Sequence, residues 1–163
     1  MENPEPNQDS GFFMFMRGFM MFTSFEIGPW IIEADATETR KQYEKSWADP
    51  CKCGSCRNFY EAMSLLPAEK TDLFTQFGIR PSVCHELGEH GKENGLHLYA
   101  GSYPIVGRLG EGGPKFHVEK AGDISFSFSL PSTTFFIPKD FPEPIIHLDF
   151  MFGLPWVIAE KYE

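Results

Sequence analysis

The chain has 163 residues, a net charge of −9 and no cluster of basic residues, so a phosphate backbone or an anionic bilayer would repel it, which argues against nucleic acid and membrane as partners. Aromatic residues make up 15%, with 17 phenylalanines; this excludes a disordered chain, and the length suits one domain with a real core. A core drawn from so much Phe and Met packs adaptably.

The first residues, Met1-Glu2-Asn3-Pro4-Glu5-Pro6, lack the positive charge of a secretory signal, and residues 1–10 read as a disordered tail before a single domain over 11–163. The apolar run from Phe12 to Phe22 is too short to span a bilayer and contains Arg17 and Gly18. A cytoplasmic location follows, where thiols stay reduced.

Phe12 to Phe25 has no helical period and predicts a strand, or two strands broken near Arg17-Gly18, with another strand edge at Pro29 to Ile32. Asp35 followed by Glu38 predicts a capped helix start, with Ala36, Tyr43 and Trp47 on one face and a stop at Asp49-Pro50. A second helix is expected from Ser55, because Cys56, Phe59, Tyr60, Met63 and Leu66 make one stripe. Pro67 opens a third, buried through Leu73, Phe74 and Phe77 and ended at Gly78, with Ile79 packing back.

Strands follow. Leu96 to Tyr99 and Tyr103 to Val106 are expected to flank a turn at Ala100-Gly101-Ser102, and Gly110 to Pro114 marks another turn. Lys115 to Glu119 reads as a strand. Ile124, Phe126, Phe128 and Leu130 alternate with serines, the period of a half-buried strand. Ile145 to Phe152 and Trp156 to Ile158 close the chain as strands. The order predicts an α+β fold, a mostly antiparallel sheet with two or three short helices packed on it.

Chemistry concentrates at Pro50 to Tyr60, where three of the four cysteines fall within six residues. One reading is a metal site: thiolates hold zinc, a zinc site needs about four ligands, and Cys51, Cys53 and Cys56 supply three, with Cys84, His85 or His90 as candidates for the fourth. A second is thiol–disulfide exchange at Cys53-Gly54-Ser55-Cys56, which leads into a helix whose N-terminus lowers a thiol's pKa. The proline loop at Gly78 to Val83 resembles that of thioredoxin-like proteins, but no apolar strand precedes the motif. A third is plain packing, with Cys56 a small hydrophobe on the apolar stripe while Arg57 and Asn58 tie down the loop.

Other patterns point to structure. His85 to His90 looks like H-E-x-x-H, but its histidines stand five apart, and a polar surface loop is the better reading. The glycines from Gly107 to Gly113 lack the Lys-Ser/Thr and helix of a phosphate loop. Asp140, Glu143 and Asp149 carry no sign of convergence, His97, His117 and His147 read as half-buried strand residues, and no Ser–His–Asp arrangement is visible.

Several segments together resemble a bacterial family of uncharacterised proteins: Glu26-Ile27-Gly28-Pro29-Trp30, Cys51-x-Cys53-x-x-Cys56-Arg57-Asn58-Phe59, Gly78-Ile79-x-Pro81, Gly101-x-Tyr103-x-x-Val106-Gly107, Phe141-Pro142-x-Pro144 and Leu154-Pro155-Trp156-Val157. The resemblance covers roughly residues 20–160, implies a complete single-domain protein and implies no reaction. The expectation is a non-catalytic binding or interaction domain for a protein or small molecule, with a structural zinc at the cysteine loop. The alternative is an oxidoreductase using Cys53 and Cys56. The apolar run near Phe12, if it forms a strand edge, would make a homo-oligomer.

Overall fold

The computed structural model describes residues 12–14, 20–45, 47, 49–114 and 116–162; the expected tail at 1–10 lies outside them. Among the described residues, eight strands form one antiparallel sheet: β1 (Phe12–Met14), β2 (Met21–Ile27), β3 (Trp30–Ala34), β4 (Glu86–Glu93), β5 (Leu96–Leu109), β6 (Glu119–Ala121), β7 (Ile124–Ser129) and β8 (Ile145–Leu154). The order is β1-β2-β3-β5-β8-β7-β6, with β4 also on β5. Helices α1 (Ala36–Tyr43), α2 (Gly54–Ser64) and α3 (Ala68–Thr75) separate β3 from β4. The α+β expectation holds. No described helix is long and apolar enough to cross a membrane.

β5 is the spine. On one side it pairs with β4 near its start and with β3 at its end, and on the other with β8 from His97 to Val106. The turn expected at Ala100-Gly101-Ser102 is therefore absent, and the chain runs straight through. Gly101 serves close packing: an added Cβ would lie 2.5 Å from the Glu86 carbonyl oxygen and 2.8 Å from the Phe150 ring. The expected polar loop at His85 to His90 is largely β4, because the amides of β5 need partners along that edge. The register shifts between Glu89 and Lys92, around Gly91 with its left-handed φ of 94°.

One face of the sheet carries the core. Tyr99, Tyr103 and Ile105 of β5 lie beside Ile146, Leu148, Phe150 and Phe152 of β8, and Ile124, Phe126 and Phe128 of β7 keep the predicted alternation. The helices cover this face. Phe59 of α2 stacks on Phe150 with centroids 5.8 Å apart, and Phe74 of α3 meets Tyr103 edge-on at 5.2 Å.

Helix α1 starts as expected, the Glu38 amide donating to Asp35 Oδ1 at 2.9 Å. The box is not reciprocal: the Asp35 amide donates to the Val106 carbonyl and the Glu38 carboxylate accepts from Gln42. The helix ends at Tyr43, short of Asp49-Pro50, and Trp47 packs on Tyr43 from the following loop, centroids 4.6 Å apart. Helix α2 has its apolar stripe where expected, and α3 is capped by Pro67. The expected strand at Lys115 to Glu119 gives way to β6, which starts at Glu119.

The opposite face of β5, β7 and β8 carries a polar cluster. Ser102 and Ser129 donate to the two carboxylate oxygens of Asp149 at 2.8 and 2.7 Å, and His147 Nδ1 lies 3.0 Å from Ser102 Oγ. Because the Ser102 proton is committed to Asp149, Nδ1–H donates to Ser102 and Nε2 is the bare nitrogen, unpartnered beside the Phe135 ring. The serine, histidine and aspartate thus converge, unseen in sequence; His147 and Ser102 are buried, while Asp149 is half-buried.

Burial holds the His147 pKa down at about 4 and raises that of Asp149, burial outweighing its two serine hydrogen bonds. The unfolded chain takes up the histidine proton near pH 6.5, before the folded protein does, so stability falls as pH drops from about 6.5 to about 4, by roughly 3 kcal/mol. Asp149 opposes this, because the fold binds its proton at higher pH than the unfolded chain. Denaturant unfolding at several pH values reads the net slope. His147→Gln should flatten it, and an unchanged slope in that variant would show that the histidine is not its source.

Candidate metal centre

Two local rules bring the cysteines together. Cys51 and Cys53 stand two apart in non-helical backbone, where side chains return to the same side. Cys53 is the N-cap of α2, with extended φ and ψ of −65° and 161°, and Cys56 is three residues on, the spacing at which cap and first-turn side chains meet. Sγ of Cys51, Cys53 and Cys56 all lie within 4.8 Å of one another, and Cys51 Sγ is 3.2 Å from Cys53 Sγ. Cys51 and Cys53 are exposed, whereas Cys56 is buried against the core.

The environment polarises the three thiols. The Cys53 amide, then the thiols of Cys53 and Cys56, hold the Cys51 pKa below its usual value. Burial first, and the neighbouring sulfurs second, push Cys56 up. A bound cation would replace these protons and offset the mutual repulsion of three thiolates.

Cys84 does not join this group. It is 2% exposed, its thiol donates to the carbonyls of Glu86 and Ser102, and burial raises its pKa to about 12. His85 stacks on Phe136, centroids 5.0 Å apart, and His90 is on the exposed side of β4. Among the described residues, no fourth Cys, His, Asp or Glu completes the cluster. For the redox alternative, α2 follows an irregular segment rather than the strand that such a motif needs.

What holds the loop was only partly foreseen. Arg57 Nε donates to the Lys52 carbonyl at 2.9 Å, and Tyr60 donates to the Cys51 carbonyl at 3.2 Å. Arg57 also pairs with Glu160. Asn58 is fully buried; its amide donates to Tyr99 Oη and the Pro155 carbonyl, both at 3.1 Å, and its oxygen accepts the Val157 amide at 2.7 Å. Trp156 Nε1 donates to the Glu160 carbonyl at 2.6 Å. The expected strand at Trp156 to Ile158 is therefore an irregular strap, its Val157 and Ile158 amides turned to a side chain of α2 instead of a neighbouring strand. The Cys-Arg-Asn-Phe and Leu-Pro-Trp-Val segments meet here, a pairing that no periodicity announces.

Fold and site together define an α+β domain with a cluster of three thiols, two exposed and one buried, at a helix start. No protein-family model matches the chain, and neither a curated protein nor a solved structure matches it significantly.

Proposed function

We propose that this is a non-catalytic binding domain that holds a metal ion, zinc foremost, on Cys51, Cys53 and Cys56, in the reducing cytoplasm where these thiols stay free. The observation that carries the reading is the gathering of three sulfurs within 4.8 Å at the head of α2. Thiolate ligands select soft ions, which favours zinc over magnesium or calcium. Exchange at Cys53 and Cys56 is the weaker reading, since α2 follows an irregular segment and not the strand that such a motif follows.

Protein purified without chelator should carry close to one zinc per chain, or take it up stoichiometrically in competition with a chromophoric chelator. Cys51→Ser, Cys53→Ser and Cys56→Ser should each weaken binding by at least about 100-fold, while Cys84→Ser leaves it unchanged. A metal-free, fully folded chain that takes up no zinc would refute the proposal.

β1 ends the path of the sheet and pairs with β2 alone among the described residues, which favours a second copy as partner at that edge. Light scattering on the full chain and on one lacking residues 1–20 tests this; a monomer in both rules it out.

A further inference from the structure

We infer that the cysteine centre is an open metal site whose fourth position takes a small thiol bearing a carboxylate. This rests on the metal reading above. Structural zinc sites close with four protein ligands, and sites with three keep a position for an outside ligand. Here three sulfurs converge, and no fourth donor joins them among the described residues. The inner side is shut by buried Cys56, while exposed Cys51 and Cys53 turn the missing position toward solvent.

The surface beside that position is shaped. A hollow of about 250 Å³ adjoins it, with Cys53, Gly54 and Ser55 on one side and Trp156, Glu160 and Lys161 on the other. This is below the range of drug-sized sites, so the ligand is a molecule of few heavy atoms. Its charge follows from the walls. Cys53 makes no side-chain cap bond, so the first amides of α2 lack that partner and their partial positive charge faces an incoming anion. Lys161 adds a full charge, and the Glu160 carboxylate is engaged by Arg57. A centre with three thiolates selects thiophilic ions, which take sulfur as a further ligand. A thiolate on the metal and a carboxylate toward the helix start satisfy both halves. The thiol proton passes to solvent, and no electron is transferred.

The test uses the full chain loaded with cobalt(II), whose visible bands report the ligand set, titrated with 3-mercaptopropionate, 2-mercaptoethanol and propionate, with cobalt retention checked by desalting. 3-Mercaptopropionate should shift the bands at a concentration about tenfold lower than 2-mercaptoethanol, and Lys161→Ala should narrow that gap. Propionate alone should leave the bands in place. Bands that no thiol moves overturn the inference while leaving the metal reading intact. Two thiols of equal potency overturn the carboxylate half. A chain that shows no cobalt bands removes the metal reading itself.

Discussion

Asn58→Ala is expected to destabilise the protein by about 2–4 kcal/mol and to release the C-terminal strap. The side chain is 0% exposed and uses both ends: the nitrogen donates to Tyr99 Oη and the Pro155 carbonyl, and the oxygen accepts the amides of Val157 and, at 3.4 Å, Ile158. Alanine strips all four partners. Each group left buried and unpaired costs about 1–3 kcal/mol, reduced here because Pro155 and Val157 lie where water reaches them. Tyr99 keeps one bond, since its hydroxyl also donates to the Ser55 carbonyl at 2.7 Å. The denaturation midpoint should fall, and hydrogen exchange at Val157 and Ile158 should accelerate more than exchange in β5. A loss under about 1 kcal/mol, with protection at Val157 intact, would mean that the strap is held by something else.

Gly78→Ala should be equally severe, for a different reason. Gly78 has φ of 83°, a left-handed conformation that costs an L-residue about 1–2 kcal/mol. It also lies against α1: an added Cβ would sit 2.1 Å from the Ala36 carbonyl oxygen and 2.8 Å from the Arg40 nitrogen. These are backbone atoms of a capped helix, which cannot swing aside as a side chain would, so overpacking adds about 1–3 kcal/mol. We expect a total of roughly 3–4 kcal/mol in equilibrium unfolding. Gly91 supplies the control, with φ of 94° and nothing within 4 Å of an added Cβ. Gly91→Ala should therefore show the conformational cost alone. Equal losses at the two positions would show that contact with α1 contributes nothing.

The two glycines that mattered most were legible to different degrees. Gly78 announced itself, following the apolar stripe of α3 and preceding Ile79, whose amide returns to the Phe74 carbonyl at 3.3 Å. Gly101 misled, because a glycine between two apolar runs has the signature of a turn. Its close approach to Phe150 depends on a strand about 50 residues away, which no local pattern reports. Trp156 to Ile158 misled in the same way: its apolar residues suit a strand, but the bond partner of its amides is Asn58, about 100 residues earlier.

Local chemistry determined much of this protein by itself. Period-two and helical spacings wrote β7, α2 and α3, an aspartate wrote the start of α1, and the C-x-C-x-x-C spacing sufficed to bring three sulfurs together, since backbone geometry over six residues is short-range physics. Tertiary structure alone decided the rest: that β5 runs unbroken, that Cys84 faces the carbonyls of Glu86 and Ser102 instead of the cluster, that Ser102, His147 and Asp149 are hydrogen-bonded neighbours, and that the strap closes over the head of α2. Apart from the Cys84–Glu86 bond, these are contacts between residues distant in the chain, set by which backbone and side-chain groups must find partners once the sheet has formed.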